Sequence, residues 1–258
     1  MLRHRIIPCL LISNGDLYKT IKFNERVYIG DPLNAVKIFN EKEADELIIL
    51  DIDATRNDKE PDFDLISALA KESRMPICYG GGINSSAIAQ KIISYGVEKI
   101  ALCSAIIKNV NLISECANIF GRQSVVVSLN VSKINGEYKI VDNCLNLISN
   151  LNIHNIIEQI QSKGAGEIVL NVTDNDGTMS GYDINLIRLI KDIMKVPYTI
   201  LGGCGSKDHI KEVLNITHTI GISAGSYFVF NGKHKAVLIS YPTHSEKLEL
   251  LENKYDLF

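Results

Sequence analysis

Short, nearly continuous apolar runs alternate with amphipathic stretches along almost the whole chain. The apolar runs are residues 5–11, 46–51, 76–79, 98–103, 124–130, 167–172, 197–201 and 219–224. Runs of this length and composition read as parallel strands covered on both faces. Between them lie helix-period patterns at 31–43, 62–74, 85–95, 109–120, 153–163, 182–194 and 207–214. Eight strands with interleaved helices predict an α/β fold, a closed (β/α)8 TIM barrel, over a single domain spanning 1–258. A doubly wound open sheet is the alternative, but it usually carries one glycine fingerprint. The last part departs from the pattern. Residues 227–230 and 236–239 flank Asn231-Gly232, which predicts a hairpin with a tight turn. Residues 243–254 read as a charged, surface-packed helix, so 231–258 is an atypical C-terminal segment.

This chain has two glycine fingerprints. Tyr79-Gly80-Gly81-Gly82-Ile83-Asn84 follows one apolar run, and Gly202-Gly203-Cys204-Gly205-Ser206 follows another. Glycine between a strand and a helix lets backbone N–H groups approach an anion, and the helix N-terminus favours negative charge. Gly80 and Gly202 are 122 residues apart, close to half the chain. Ala44-Asp45-Glu46-Leu47-Ile48 echoes Ala165-Gly166-Glu167-Ile168-Val169 at an offset of 121, and Ser104 echoes Ser226 at 122. A fixed offset of this size predicts two half-barrels, about 1–123 and 124–230, each with a phosphate cradle at the same end. A ligand with two phosphates is the natural expectation.

Composition narrows the partners. Of 258 residues, 46% are hydrophobic and 22% charged, with a formal net charge of -3. No basic stripe is present, so neither nucleic acid nor an anionic membrane is expected. No apolar run reaches the roughly 20 residues that span a bilayer, and the first residues lack the apolar follow-on of a signal peptide. Six cysteines are scattered without metal-ligand spacing. They read as buried thiols in a reducing cytoplasm, with no metal and no cofactor expected.

Several motifs carry a family resemblance. They are Arg5-Ile6-Ile7-Pro8-Cys9-Leu10, Gly30-Asp31-Pro32, Leu50-Asp51-Ile52, Gly80-Gly81-Gly82-Ile83, Gly164-Ala165-Gly166-Glu167-Ile168, Asp174-Asn175-Asp176-Gly177-Thr178 and Gly202-Gly203. With them, nearly the whole chain resembles HisF, the cyclase subunit of imidazole glycerol phosphate synthase. The resemblance implies a barrel that docks a HisH-type glutaminase on its N-terminal face as a heterodimer. Ammonia then passes through the barrel to a bisphosphorylated ribonucleotide at the C-terminal face.

The resemblance also implies two aspartates, an acid and a base, at the ends of the first and fifth strands. Here those positions hold Leu11 and Asn130. Leucine has no proton to give, and an asparagine amide does not titrate usefully. Removing one acid–base group typically costs about 10²–10⁴-fold in rate. Asp51, Asp53 and Asp176 are the carboxylates placed to substitute. Ligand-contacting positions implied by the resemblance are Gly82 and Ser104 in the first half, and Asp176, Gly177, Gly203, Gly225 and Ser226 in the second. Around them Cys103 stands for an asparagine, Asn171 for a threonine and Leu201 for a serine. Lys19 matches a lysine in the family's mobile first loop, Gly15 to Gly30; simple solvation explains it equally well.

At the opposite barrel end the resemblance implies an ammonia gate made by Arg5, Glu46, Lys99 and Glu167. All four charges are present with the implied sign. Salt bridges that merely stabilise a barrel bottom are the plainer account. Glu98 matches an acidic position facing the glutaminase. The expectation is therefore a HisF-like barrel that keeps ammonia handling and has lost the cyclase pair, passing ammonia to a third, sugar-modifying enzyme of surface-polysaccharide biosynthesis. An active cyclase with displaced residues is one alternative, and a non-catalytic scaffold or activator of the glutaminase is another.

Overall fold

The computed structural model describes residues 4–149, 151–217 and 220–251. Eight parallel strands form the barrel wall: β1 (Arg5–Ser13), β2 (Leu47–Asp51), β3 (Ile77–Gly80), β4 (Lys99–Leu102), β5 (Val125–Ile134), β6 (Glu167–Val172), β7 (Tyr198–Leu201) and β8 (Gly221–Ala224). Each pairs with the next, and β8 pairs with β1, so the sheet closes without a free edge. Closure follows from the sequence: strands apolar on both faces need cover inside and out. The start expected for β8 falls partly outside the described residues.

Helices fill the outer layer: α1 (Pro32–Glu41), α2 (Phe63–Glu72), α3 (Ser86–Ser94), α4 (Asn111–Phe120), α5 (Ile153–Ser162), α6 (Ile184–Ile190), α7 (Lys207–Leu214) and α8 (His244–Leu251). Six of them begin where a capping side chain accepts a backbone N–H of the first turn: Asp31, Asp62, Ser85, Asn152, Asp183 and Ser206. Such a cap contributes about 1 kcal/mol. The helices bury one stripe against the outer face of the sheet, in a continuous core that includes Phe39, Ile66, Ile92, Ile157, Ile187 and Val213.

A second, smaller core lies inside the barrel and includes Ile7, Cys9, Leu11, Ile48, Cys78, Ala101, Val126, Val169 and Leu201. The side-chain period of two explains its layering. On β6, Glu167, Val169 and Asn171 share the inner face, opposite Val126, Ser128 and Asn130 of β5 in register. Charged residues therefore occupy the strand starts, apolar ones the middle, and Leu11, Cys103, Asn130 and Asn171 the strand ends.

Two stretches depart from the expected loops. The segment from Gly15 to Gly30 is an antiparallel hairpin, Asp16–Ile21 with Glu25–Gly30, that continues β1 across the C-terminal mouth. A second antiparallel arm, Glu137–Asp142 with Leu147–Ile148, extends β5. Beyond β8, Tyr227 to Val229 is helical rather than a strand, because Phe228 and Val229 turn inward and are 1% exposed. The hairpin there is only Phe230–Asn231 with Ala236–Val237, closed by four residues instead of an Asn-Gly pair. The charged helix expected at 243–254 is α8; its expected end lies outside the described residues. It packs against α7, and the Tyr241 hydroxyl just before it donates to the Ile6 carbonyl and accepts from the Asp45 N–H.

Candidate functional site

The strand starts converge on a closed ring of four charges. Arg5 donates to Glu46 at 2.5 Å and to Glu167 at 2.7 Å; Lys99 donates to Glu46 at 2.8 Å and to Glu167 at 2.9 Å. Each residue thus bridges two of opposite sign. Thr199 donates to Glu167 at 2.7 Å as well. Burial works to raise the Glu167 carboxyl, but Arg5, Lys99 and Thr199 together hold it well below the usual range. Desolvating four charges is costly, and only this complete pairing makes the ring tolerable. Above it sits the Cys78 thiol, raised by burial and then by Glu46 and Glu167. Glu98, adjacent in sequence, is exposed, and its carboxylate accepts the Ile77 N–H at the strand start.

At the C-terminal mouth the two glycine fingerprints end strands four apart in the barrel. In the first, a Cβ on Gly81 (φ 118°) would lie 2.4 Å from the Asp51 carbonyl, so no other residue fits. In the second, Gly203 (φ 104°) packs as closely against the Gly181 carbonyl. Two cavities open beside these turns. One is lined by Gly81, Gly82, Thr55, Arg26, Arg56, Cys103, Ser104 and Asn130. The other is lined by Lys19, Asp176, Gly177, Gly203, Gly225 and Ser226. Leu11, Phe23 and Asn171 line both and lie between them. The seven ligand-contacting positions named from the sequence thus fall into these two cavities. The Gly82 N–H is already donated to the Thr55 hydroxyl.

Lys19 is not a solvated loop residue. It is 5% exposed, and its ammonium donates to the Cys9 carbonyl at the wall of the second cavity. Burial lowers its pKa, while burial raises that of the neighbouring Asp176. Asp176 accepts from the Thr20 hydroxyl and the Phe23 N–H, tying the second glycine-rich turn to the first hairpin. This tie is not visible in the sequence, because it depends on residues 16–30 forming a hairpin rather than a loop.

Asp53 is also spoken for. Arg26 grips it with two N–H···O bonds of 2.7 and 2.9 Å, and Ser13 donates to it too. The Arg26 hydrogen bonds hold its carboxyl below the usual range, so it stays ionised. The pair pins the hairpin over the mouth. Asp51 uses one oxygen to accept the N–H groups of Asp53 and Ala54, and burial raises its pKa.

At the centre of the mouth, Leu11 is 8% exposed and faces the barrel axis. The Asn171 amide donates to the Asn130 oxygen at 3.5 Å, and the Asn130 amide donates to the Cys103 sulfur at 3.7 Å. Burial pushes the Cys103 thiol up to about 12, so it stays protonated. No ionisable carboxylate occupies the Leu11 or Asn130 positions. Among the described residues no cluster of histidine, cysteine and carboxylate side chains is arranged to hold a metal, and no helix is long and apolar enough to cross a membrane.

A family model described as "Histidine biosynthesis protein" matches residues 5–235. The chain is 50% identical to a Vibrio vulnificus protein described as "Putative imidazole glycerol phosphate synthase subunit hisF3", over 98% of both chains. It is 49% identical to a Leptospira borgpetersenii protein, "Putative imidazole glycerol phosphate synthase subunit HisF", over 96% of this chain and 98% of that one. A Pseudomonas aeruginosa relative, "Putative imidazole glycerol phosphate synthase subunit hisF2", is 45% identical over 94% and 97%. The chain belongs to the HisF family. As a HisF barrel it combines two glycine turns and a charged N-terminal ring with a neutral C-terminal centre. That combination frames the question of what chemistry remains.

Proposed function

We propose that this HisF-family barrel is the ammonia-carrying subunit of a glutamine amidotransferase complex. It receives ammonia from a HisH-like glutaminase docked at the N-terminal face, near Glu98. It releases the ammonia at the C-terminal mouth to a separate amidination reaction on a surface sugar; that acceptor is taken from the family resemblance alone. The observation that carries the proposal is the contrast along the axis. The charged ring of Arg5, Glu46, Lys99 and Glu167 is complete, while Leu11 and Asn130 leave the other end without its acid and base. Arg5 and Lys99 are the movable members, since each is a flexible side chain at a solvent-facing mouth. The two cavities around Gly82, Ser104, Asp176, Gly177, Gly203, Gly225 and Ser226 would hold a phosphorylated small molecule that signals occupancy.

A second reading is favoured by one observation. Lys19, buried, and Asp176, half-buried, both line the second cavity, and burial favours the neutral form of each, the direction a relocated acid–base pair needs. On that reading the chain is a lyase, a cyclase of histidine biosynthesis with a displaced acid–base pair. One experiment separates the two. The protein is mixed with its glutaminase and glutamine and offered the bisphosphorylated ribonucleotide. Ammonia release without imidazole glycerol phosphate supports the conduit; product at ordinary rates establishes the cyclase. Glutaminase activation that survives a blocked barrel core would instead identify a scaffold.

A further inference from the structure

On the outside of the barrel wall, a cavity of about 160 Å³ lies between β1–β3, α2 and the loop that joins β2 to α2. The strand period of two places its walls. Ile12 of β1 pairs with Asp51 of β2, and Ile49 of β2 pairs with Tyr79 of β3. Ile12, Ile49 and Tyr79 belong to the outer core, so Asp51, two residues beyond Ile49, ends β2 on the same outward face. Leu65 and Ile66 of α2 close the far side. The floor is buried and apolar, while Asn14, Lys59, Glu60 and Asp62 stand exposed at the rim.

Carboxylates at a surface are ordinarily solvated and mean little by themselves. What sets this cavity apart is a hydroxyl in its floor. Tyr79 lines the cavity and is 2% exposed, yet its hydroxyl has no hydrogen-bond partner among the described residues. The partnerless side-chain atoms sealed from solvent among those residues are Asp142 Oδ2 and Asn171 Oδ1, so the Tyr79 hydroxyl is open to the cavity. A buried hydroxyl left unpaired is destabilising, and this one therefore favours a polar ligand.

Charge indicates which ligand. Asp53 is neutralised by Arg26. Asp51, Glu60 and Asp62 form no ion pair among the described residues, and Lys59 is the one cation lining the cavity with them. Burial raises the Tyr79 hydroxyl, and Asp51 and Asp62 raise it further. Burial also raises Asp51, against the pull of two backbone N–H groups, and Asp53 and Asp62 add to the rise. The cavity thus carries excess negative charge around an open hydroxyl. Among the described residues no three acids converge as a bare metal ion needs, and the apolar floor suits a carbon chain.

We propose that this cavity binds a small organic cation, a primary ammonium on a short apolar body. Its N–H groups donate to the Tyr79 hydroxyl and to the Asp51 oxygen that accepts no backbone N–H. Its body lies along Ile12, Leu65 and Ile66. The proposal is independent of the conduit reading.

The test is a titration of the intact protein with propylammonium chloride at neutral pH and constant ionic strength, followed through the backbone amide resonances of Asn14, Ala54 and Leu65. The expected result is a saturable shift of all three. It is absent with tetramethylammonium chloride, which has no N–H, and with 1-propanol, which has no charge. Tyr79→Phe removes only the hydroxyl and is expected to weaken binding about tenfold. Asp62→Asn keeps the cap of α2 and is expected to weaken it about two- to fivefold. No saturable shift with propylammonium means a cavity that holds water alone and overturns the proposal. An equal response to 1-propanol or tetramethylammonium overturns it too, as does affinity unchanged by Tyr79→Phe, or by Asp62→Asn should the first variant not fold.

Discussion

The two mouths of this barrel obey opposite electrostatic rules. At the N-terminal mouth four charges are brought together and every one is bridged twice. At the C-terminal mouth the axis is lined by Leu11, Cys103, Asn130 and Asn171, with one amide oxygen left without a partner. The first arrangement is costly to disturb because any single removal leaves two like charges sharing one partner. The second can be altered cheaply because nothing on the axis depends on charge. On the proposed conduit reading, the first mouth admits ammonia and the second releases it without proton transfer.

Breaking the ring should show the largest effect. Lys99→Ala leaves Glu46 and Glu167 sharing Arg5 alone and is expected to cost about 3–5 kcal/mol in chemical denaturation. Asn130→Leu at the other mouth is expected to cost only about 1 kcal/mol. Equal costs would erase the contrast. The pH dependence sharpens it. Glu167 is held below its ordinary value of 4.5, down to about 2, so its stabilisation is present above 4.5 and lost as the pH falls toward 2. The stability gap between the unaltered protein and Glu167→Gln should therefore be wide at pH 7 and shrink below pH 4; a constant gap would show that charge is not what the ring uses.

Smaller effects belong to the C-terminal mouth. Gly81→Ala forces a Cβ onto the Asp51 carbonyl in a left-handed conformation and should cost more than about 1 kcal/mol. Arg26→Ala frees the hairpin from Asp53. It is expected to cost about 0.5–1 kcal/mol, since the pair is partly exposed, and to speed hydrogen exchange of amides in residues 16–30 while the barrel strands stay protected. Uniform exchange would mean that the hairpin is held by its backbone ladder alone. Restoring both acids, Leu11→Asp with Asn130→Asp, should recover little cyclase activity, because Cys103 in the first cavity, Leu201 in the second and Asn171 in both also shape what can bind. Substantial recovery would show that the pocket still fits the old ligand.

What was legible in the sequence was what repeats locally. The eight apolar runs follow from strand period and length, so the barrel is legible from the chain, whereas the ring of Arg5, Glu46, Lys99 and Glu167 is placed by the family resemblance and not by period. The glycine turns were legible because their backbone demands exclude other residues. Contacts across the fold were not. The hairpin of Asp16–Ile21 and Glu25–Gly30 is rich in polar residues and lacks the apolar run that marks a buried strand. Lys19 is buried only because that hairpin folds back over the Cys9 carbonyl. Arg26 and Asp53 are 27 residues apart and nothing in their neighbours announces the pairing. The helical turn at Tyr227 to Val229 was misread because Asn231-Gly232 resembles a tight hairpin, while the pull of Phe228 toward Tyr241 is invisible along the chain. Asn171 registered only as a changed residue, since an unpartnered carbonyl is a property of its surroundings.

Supplying the isolated barrel with ammonium salt and the bisphosphorylated ribonucleotide, and measuring ring closure, asks whether proton transfer survives at the C-terminal mouth. With glutaminase absent, only chemistry at the C-terminal mouth is read. No imidazole glycerol phosphate above the uncatalysed background is expected. Closure at the rate of a relative that carries both aspartates would contradict that expectation.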